Sequence, residues 1–397
     1  MFTISQFVSP YLFALYYFTA CNIRLLINLN YLYPGGKCVK KRIAILGVGA
    51  IGGTTGAYLT RDGHDVTLID QWAAHIEKIR SDGLKMIDLN GEFTVPAKAL
   101  HLSDVSGVKE PFDIVFLSVK SYDTRWSAYL IEPYLKPTGF ILPTQNALND
   151  EVVASVVGFN RTVGCVTTLS AGVYEPGHIL RHDPLDRNCF TVGELSGLVS
   201  NRVKEVVDLL SAVGPSQATT NIWGTRWSKL AINCMFNAMA GIIGPSIVSL
   251  NETQKDTSNL VRIIIGGEVA RVGQASGVNI EPVWKVPTAE FAEATTIELV
   301  QKLKEKMAAI WSSLFLPADE LTKKIGAPQR PSLLQDIIKK RRTEIEFLNG
   351  EVVRKGRENG VPTPMNQALV DLTLRIERGE IAPDPANLEL LKKHISL

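Results

Sequence analysis

Three residues in RWSKLAINCMFNAMAGIIG (226–244) could do chemistry: Lys229, Asn233 and Asn237 recur every four residues. On a helix that spacing stacks an ammonium and two carboxamides in one column. Leu230, Ala231, Ile232, Met235, Phe236, Ala238, Met239 and Ala240 around them are the apolar set of a buried helix. A second segment, RPSLLQDIIKKRRTEIEFLNGEVVRKG, reads as one long helix beginning near Ser332. At ~100° per residue, Leu333, Leu334, Ile337, Ile338, Ile345 and Leu348 share a face of it, and Glu344 falls on that face. A carboxylate placed there must be paired, hydrogen-bonded or protonated. Arg341 on the same stripe is one expected partner; the alternative is that Glu344 faces a cleft whose other wall carries Lys229. A cationic acid, amide donors, a hydroxyl at a helix start and a carboxylate together suit a small 2-oxo acid. Hydride delivery to its ketone leaves an alkoxide, and a lysine with a pKa lowered by desolvation can protonate it.

These residues need a frame, and the sequence predicts one. RIAIL (42–46) runs straight into Gly47-Val48-Gly49-Ala50-Ile51-Gly52, a G-x-G-x-x-G between a predicted strand and a predicted helix. The glycines allow a tight turn, close approach of a pyrophosphate and helix–strand contact, and the helix start offers N–H groups to phosphate. A second strand ends at Asp70, placed to accept bonds from ribose hydroxyls; with Gln71 and Trp72 following instead of arginines, this favours NADH. FDIVFLSVK and GFILPTQNALND read as later parallel strands, which puts Lys120 and Asn146 at the crevice end of the sheet. RTVGCVTTLSAGVYEPGHILRH and CFTVGEL read as strands of a mixed sheet edge, and NRVKEVVDLLSAVG as a helix with a glycine stop. From about Asn221 helical periodicity takes over. The expected class is α/β plus all-α: a Rossmann-type dinucleotide-binding domain over 39–220, then a helical substrate domain over 221–397.

The 397 residues are 45% hydrophobic and 21% charged with a formal net charge of +2, which gives no electrostatic footprint for nucleic acid. Five scattered cysteines without a C-x-x-C pair favour a reducing cytosol over a disulfide framework or zinc site. His178 and His182 are read as surface histidines, since no third metal ligand accompanies them. Residues 1–38 include the apolar FVSPYLFALYYFTAC, but Asn22, Arg24 and Asn28 interrupt it. The expectation is a misassigned or dispensable extension upstream of Val39, with a membrane-associating tail as the rival and no stable membrane association expected.

The blocks GVGAIGG, VKSYDT, PTQNALND, KLAINCMFNAMAGI and RPSLLQDIIKKRRTEIEFLNGEVVRKGRENGVPTPMN resemble the ketopantoate reductase family, from about Val39 to Asn366. The resemblance implies reduction of 2-dehydropantoate on the way to pantothenate, with NADPH as the usual cofactor. It implies Lys229 as proton donor, Asn233 and Asn237 holding substrate, and Ser332 binding the substrate carboxylate. Glu344 would order the substrate hydroxyl and the cofactor end of the site. Lys120 and Asn146 would contact cofactor and reach substrate, with Ser170 near the nicotinamide. Two departures bear on specificity: Gln71 stands where the family often has arginine, and Ile247 where it often has a substrate asparagine. A reductase of another 2-oxo acid is therefore the alternative, with a non-catalytic dinucleotide sensor behind it. An inserted segment, about 285–329, carries the stripe Leu299, Leu303, Met307, Ile310 and Leu314, read as core packing first and as a homodimer contact second.

Overall fold

Short apolar runs punctuated by glycine turns build the first half of the fold. The computed structural model describes residues 40–314, 323 and 325–395, so the expectations for residues 1–38 lie outside the described residues. Strand β1 (Arg42–Leu46) leads through the glycine loop into helix α1 (Ala50–Arg61), which ends before Gly63 (φ +84°) and returns as β2 (Asp65–Asp70). After α2 (Ala73–Asp82) come β3 (Leu84–Asp88), β4 (Gly91–Val95), β5 (Lys98–His101) and β6 (Phe112–Leu117). Helix α3 (Thr124–Ile131) and β7 (Leu135–Pro143) complete a sheet of order β5-β2-β1-β6-β7, every pair parallel. Ile43 to Leu46 and Ile114 to Leu117 are buried on both faces, as a sheet covered from two sides requires. The glycine loop, Lys120 and Asn146 follow β1, β6 and β7, so all three lie at the carboxyl edge where such sheets bind ligands.

Helix α4 (Asp150–Val157) precedes β8 (Val163–Thr167), β9 (Ala171–Glu175), β10 (His178–Arg181) and β11 (Phe190–Glu194). Helix α5 (Asn201–Leu210) and β12 (Ser216–Ala218) close this half. The expected single mixed edge is instead two sheets, β4-β3-β10-β9 and β12-β11-β8. The second touches the main sheet through one parallel bridge, Ile141 to Thr162. His182 is also not a surface histidine: it is 2% exposed, and burial pushes its pKa down, keeping the ring neutral.

The remainder is helical. Helix α6 (Ile222–Ile243) starts on Asn221, whose side chain accepts from Gly224 N at 3.1 Å, and stops at Gly244 (φ +77°). It packs along α7 (Glu252–Ala275) through Met235, Met239, Val261, Ile265 and Val269. The stretch 222–247 is long and apolar enough to span a membrane, but 67% of its apolar 18-residue window is buried inside the fold, as expected of a core helix. Helices α8 (Thr288–Glu293) and α9 (Ile297–Leu314) follow. Of the expected α9 stripe, Leu303 and Met307 are buried and Ile310 packs on the core, whereas Leu299 is 43% exposed and Val300 takes its inward place.

The long helix expected from Ser332 is broken. It becomes α10 (Ser332–Ile338), a turn with Lys340 at φ +53°, a 3₁₀ turn at Ile345–Phe347 and α11 (Asn349–Glu358). The cause is tertiary. Glu377 Oε1 accepts from Thr343 N at 3.0 Å and Glu344 accepts from Ser121, so both residues are drawn out of the helical path. Helices α12 (Pro364–Glu377) and α13 (Asn387–Lys392) end the described chain. The start of α12 is capped by the buried carboxylate of Glu268, which accepts from Met365 N and Asn366 N at 2.9 Å each.

Candidate active site

The glycine loop is shaped for an anion. Gly47 has φ +95°, and a Cβ there would come within 2.6 Å of Val119 N; one on Gly52 would collide with the Gly47 carbonyl. Gly49, by contrast, faces open space, with nothing within 4 Å of an ideal Cβ. It caps α1, whose first turn has no acidic residue and no side-chain cap, so no side chain competes there for the helix's first N–H groups. That combination fits the pyrophosphate of a dinucleotide. Asp70 braces the loop: Oδ2 accepts from Val48 N at 2.6 Å and Oδ1 from Trp72 N at 2.8 Å. Buried His75 donates to Val48 O at 3.0 Å and accepts from Gly177 N at 2.8 Å, which fixes its tautomer.

A chain of amides and a hydroxyl runs from the loop after β7 to α10. Asn233 Nδ2 donates to Asn146 Oδ1 at 3.0 Å; Asn237 Nδ2 donates to Asn233 Oδ1 at 3.4 Å and to Ser332 Oγ at 3.0 Å. The i, i+4 column is therefore real, and it joins Asn146, in the loop after β7, to the start of α10. Lys229 stands one turn before Asn233, and no carboxylate among the described residues pairs with it. Burial, helped by the positive charge of Arg187, pushes its pKa down to about 8.

Glu344 is 4% exposed, and its partner is not Arg341. Its Oε1 accepts from Ser121 N at 2.9 Å and Ser121 Oγ at 2.7 Å, and its Oε2 from Lys120 Nζ at 3.0 Å. Burial alone would raise its pKa, but the Lys120 ammonium and the Ser121 bonds hold it below the usual carboxylate range. Lys120 also meets fully buried Asp336 at 2.6 Å, and Arg341 Nε takes the other Asp336 oxygen at 2.6 Å. Ser121 and Asp336 escaped the sequence reading. Asp336 is four residues after Ser332 inside an apolar run, which is the signal that could have found it. Ser170 Oγ accepts from Gln329 Nε2 at 2.7 Å and its N–H donates to Asp183 at 2.7 Å, while Gln335 of α10 donates to the adjacent Ala171 carbonyl at 3.2 Å. Ser170 itself makes no bond to the Asn146–Ser332 chain.

The whole chain has relatives among known proteins. The chain is 27% identical over 346 residues to a 2-dehydropantoate 2-reductase of Archaeoglobus fulgidus, covering 85% of this chain and 99% of that protein. A Lactococcus lactis 2-dehydropantoate 2-reductase is 28% identical over 339 residues, covering 83% and 96%. In fold the chain is similar to D-mandelate dehydrogenase in ternary complex with NADH and anilino(oxo)acetate (TM-score 0.68, 24% identity, 85% and 99% covered). A PanE/ApbA family ketopantoate reductase from Ralstonia eutropha gives a TM-score of 0.65 at 24% identity, with 85% and 99% covered. The family description "Ketopantoate reductase PanE/ApbA" matches residues 43–197 and "Ketopantoate reductase PanE/ApbA C terminal" residues 221–377, and the chain belongs to this family of oxidoreductases.

Proposed function

We propose that the chain reduces the ketone of 2-dehydropantoate to pantoate with NAD(P)H, in the cytosol and as a step of pantothenate biosynthesis. In this reading residues 39–220 bind dinucleotide and 221–397 supply the substrate wall. The observation that carries it is the bonded chain Asn146–Asn233–Asn237–Ser332, anchored on the helix that carries Lys229, whose pKa burial pushes down to about 8. The reduced nicotinamide, when bound, supplies a hydride to the carbonyl carbon. Lys229 Nζ holds the carbonyl oxygen and gives it the proton that the new alkoxide requires. Ser332 Oγ and Asn237 Nδ2 sit at the start of α10, where a substrate carboxylate meets both donors and the helix dipole. Asn233 and Asn146 orient the hydroxyl end, and Glu344, held ionised by Lys120 and Ser121, orders the junction with the cofactor side. NADH is the preferred cofactor in this reading, because Asp70 places a carboxylate beside the glycine loop, where a 2′-phosphate would meet like charge.

One observation favours a second reading, another 2-oxo acid with a more apolar tail. Half-buried Phe236 lies within about 20° of Lys229 around the α6 axis. It meets Trp284 and Trp311 edge-on at 5.0 and 5.2 Å between ring centroids. Ile247, where a polar group would read a hydroxyl, packs on the same core. Steady-state kinetics with 2-dehydropantoate, phenylglyoxylate and branched 2-oxo acids, each with NADH and NADPH, decide between them. The highest kcat/KM on 2-dehydropantoate is the expected result; a clear preference for an aryl or branched acid sinks the first reading.

A further inference from the structure

We propose that Arg226 is a positioning residue that sets the place of Asn146 from the opposite side of the interdomain wall. This rests on the reading of Asn146 as part of the reaction site. Arg226 lies on α6 one turn before Lys229 and is 3% exposed. Its guanidinium leaves the helical half altogether. NH1 donates to the Gln145 carbonyl at 3.0 Å; NH2 donates to the Pro143 carbonyl at 3.1 Å and to Asp150 Oδ1 at 2.8 Å. These three acceptors bracket Asn146 on both sides.

The bracketed loop needs holding. Ala147, next to Asn146, has φ +68°, a left-handed conformation that a β-carbon disfavours. Ala147 and Leu148 are buried in the hydrophobic cluster of the helical half, so the loop leaves its own sheet to dock there. Asn149 Nδ2 ties back to the Asn146 carbonyl at 2.6 Å and to Ser121 Oγ at 3.0 Å. Within this arrangement Arg226 supplies the fixed charge and two carbonyl bonds from a single rigid helix. That same helix carries Asn233, whose Nδ2 meets Asn146 Oδ1. Arg226, Asn233 and Asn146 are thus three corners of one frame, and the distance from Asn146 to the lysine column is set by a helix rather than by a loop. A lysine cannot reproduce the frame, because one ammonium does not present the planar fork that reaches two carbonyls and a carboxylate together.

The frame makes the Asn146 side a fixed joint. Neither Arg226 Nε nor Asp150 Oδ2 has a bonding partner among the described residues, so the three bonds named above are Arg226's own hold on the loop. Asp150→Asn keeps the accepting Oδ1 and is the mild variant. Arg226→Lys and the double variant R226M/D150L, which removes both buried charges at similar volume, are the severe ones.

The test measures kcat and KM on 2-dehydropantoate, dinucleotide Kd by tryptophan quenching, and hydrogen exchange over 143–150 in the full chain. In Arg226→Lys and R226M/D150L we expect faster exchange in that loop and kcat lower by about 10- to 100-fold, as for a misplacement of about 1 Å. Dinucleotide Kd stays within about twofold, because the glycine loop is untouched. Parental kcat in the double variant overturns the proposal, and so does a loss of kcat with unchanged loop exchange. If the parent does not turn over 2-dehydropantoate at all, the reaction assignment fails, while the loop exchange still decides whether Arg226 holds Asn146.

Discussion

Lys120, just beyond β6, and Asp336, on α10, meet at 2.6 Å where Asp336 has no exposed surface, and the same ammonium reaches Glu344 at 3.0 Å. Two carboxylates share one lysine across the boundary between the sheet and the helices. Each would be costly to bury alone, so the contact fixes side chains of the sheet and of the helices against one another.

Lys120→Met tests that coupling through stability. Removing one partner of a buried ionic cluster costs about 3–5 kcal/mol, and the loss has a defined pH dependence. In the parent, Glu344 sits below the ordinary 4.5, so its contribution is present above that value and is lost as pH falls through the folded pKa. Without Lys120, burial raises the carboxyl instead, and stability falls as pH rises through the raised pKa. The Tm deficit of Lys120→Met is therefore expected to be larger at pH 8 than at pH 5. A deficit independent of pH means that lost packing, not charge, explains it.

Gly49→Ala separates cofactor binding from folding. A Cβ there meets nothing in the protein, and Gly49 has φ −72°, which alanine adopts freely. The methyl group would occupy the volume at the α1 N-terminus that a pyrophosphate needs. We expect a Tm within about 2 °C of the parent, since Gly→Ala at a compatible φ is worth under ~1 kcal/mol. Dinucleotide Kd should weaken by at least about tenfold. Gly52→Ala, whose Cβ strikes the Gly47 carbonyl, is expected to lose both.

Much of this site was legible before any coordinates. The 3.6-residue period put Lys229, Asn233 and Asn237 on one column, and the glycine spacing located the cradle, because local geometry alone decides both. Arg226 was equally visible in principle, since it falls about 60° from Lys229, between the two asparagines around the axis. Nothing in the sequence says that its partners are carbonyls of a distant loop. The same limit explains Glu344. Its helical period pointed to Arg341, but the helix breaks after Ile338 because Ser121 and Glu377 offer better bonds than the continuing backbone. Periodicity is local information, and long-range partners override it.

Asp70 governs the choice between NADH and NADPH in our reading. Both oxygens already accept backbone N–H groups, so the carboxylate is immobile and its charge is fixed beside the glycine loop. We expect a lower KM for NADH than for NADPH in the parent. Asp70→Asn keeps an acceptor for Val48 N while removing the charge, and should shift the KM ratio towards NADPH by about tenfold. An unchanged ratio assigns discrimination to other groups.

Lys229 provides the sharpest kinetic signature. A proton donor must be protonated in the free enzyme, and burial places this ammonium at about 8. The kcat/KM for ketone reduction should be flat below pH 8 and fall about tenfold per pH unit above it, as the donor form is lost. Arg187 contributes the smaller cause, so Arg187→Gln should move the break upward by under about one pH unit. Lys229→Met should cost about 10²–10⁴-fold in kcat, with dinucleotide Kd unchanged and the break at pH 8 abolished. Lys229→Arg keeps a cation that cannot release its proton in this range, so it should be equally slow while still binding substrate. A break that persists near pH 8 in Lys229→Met would assign the proton to another group and remove Lys229 from the chemistry.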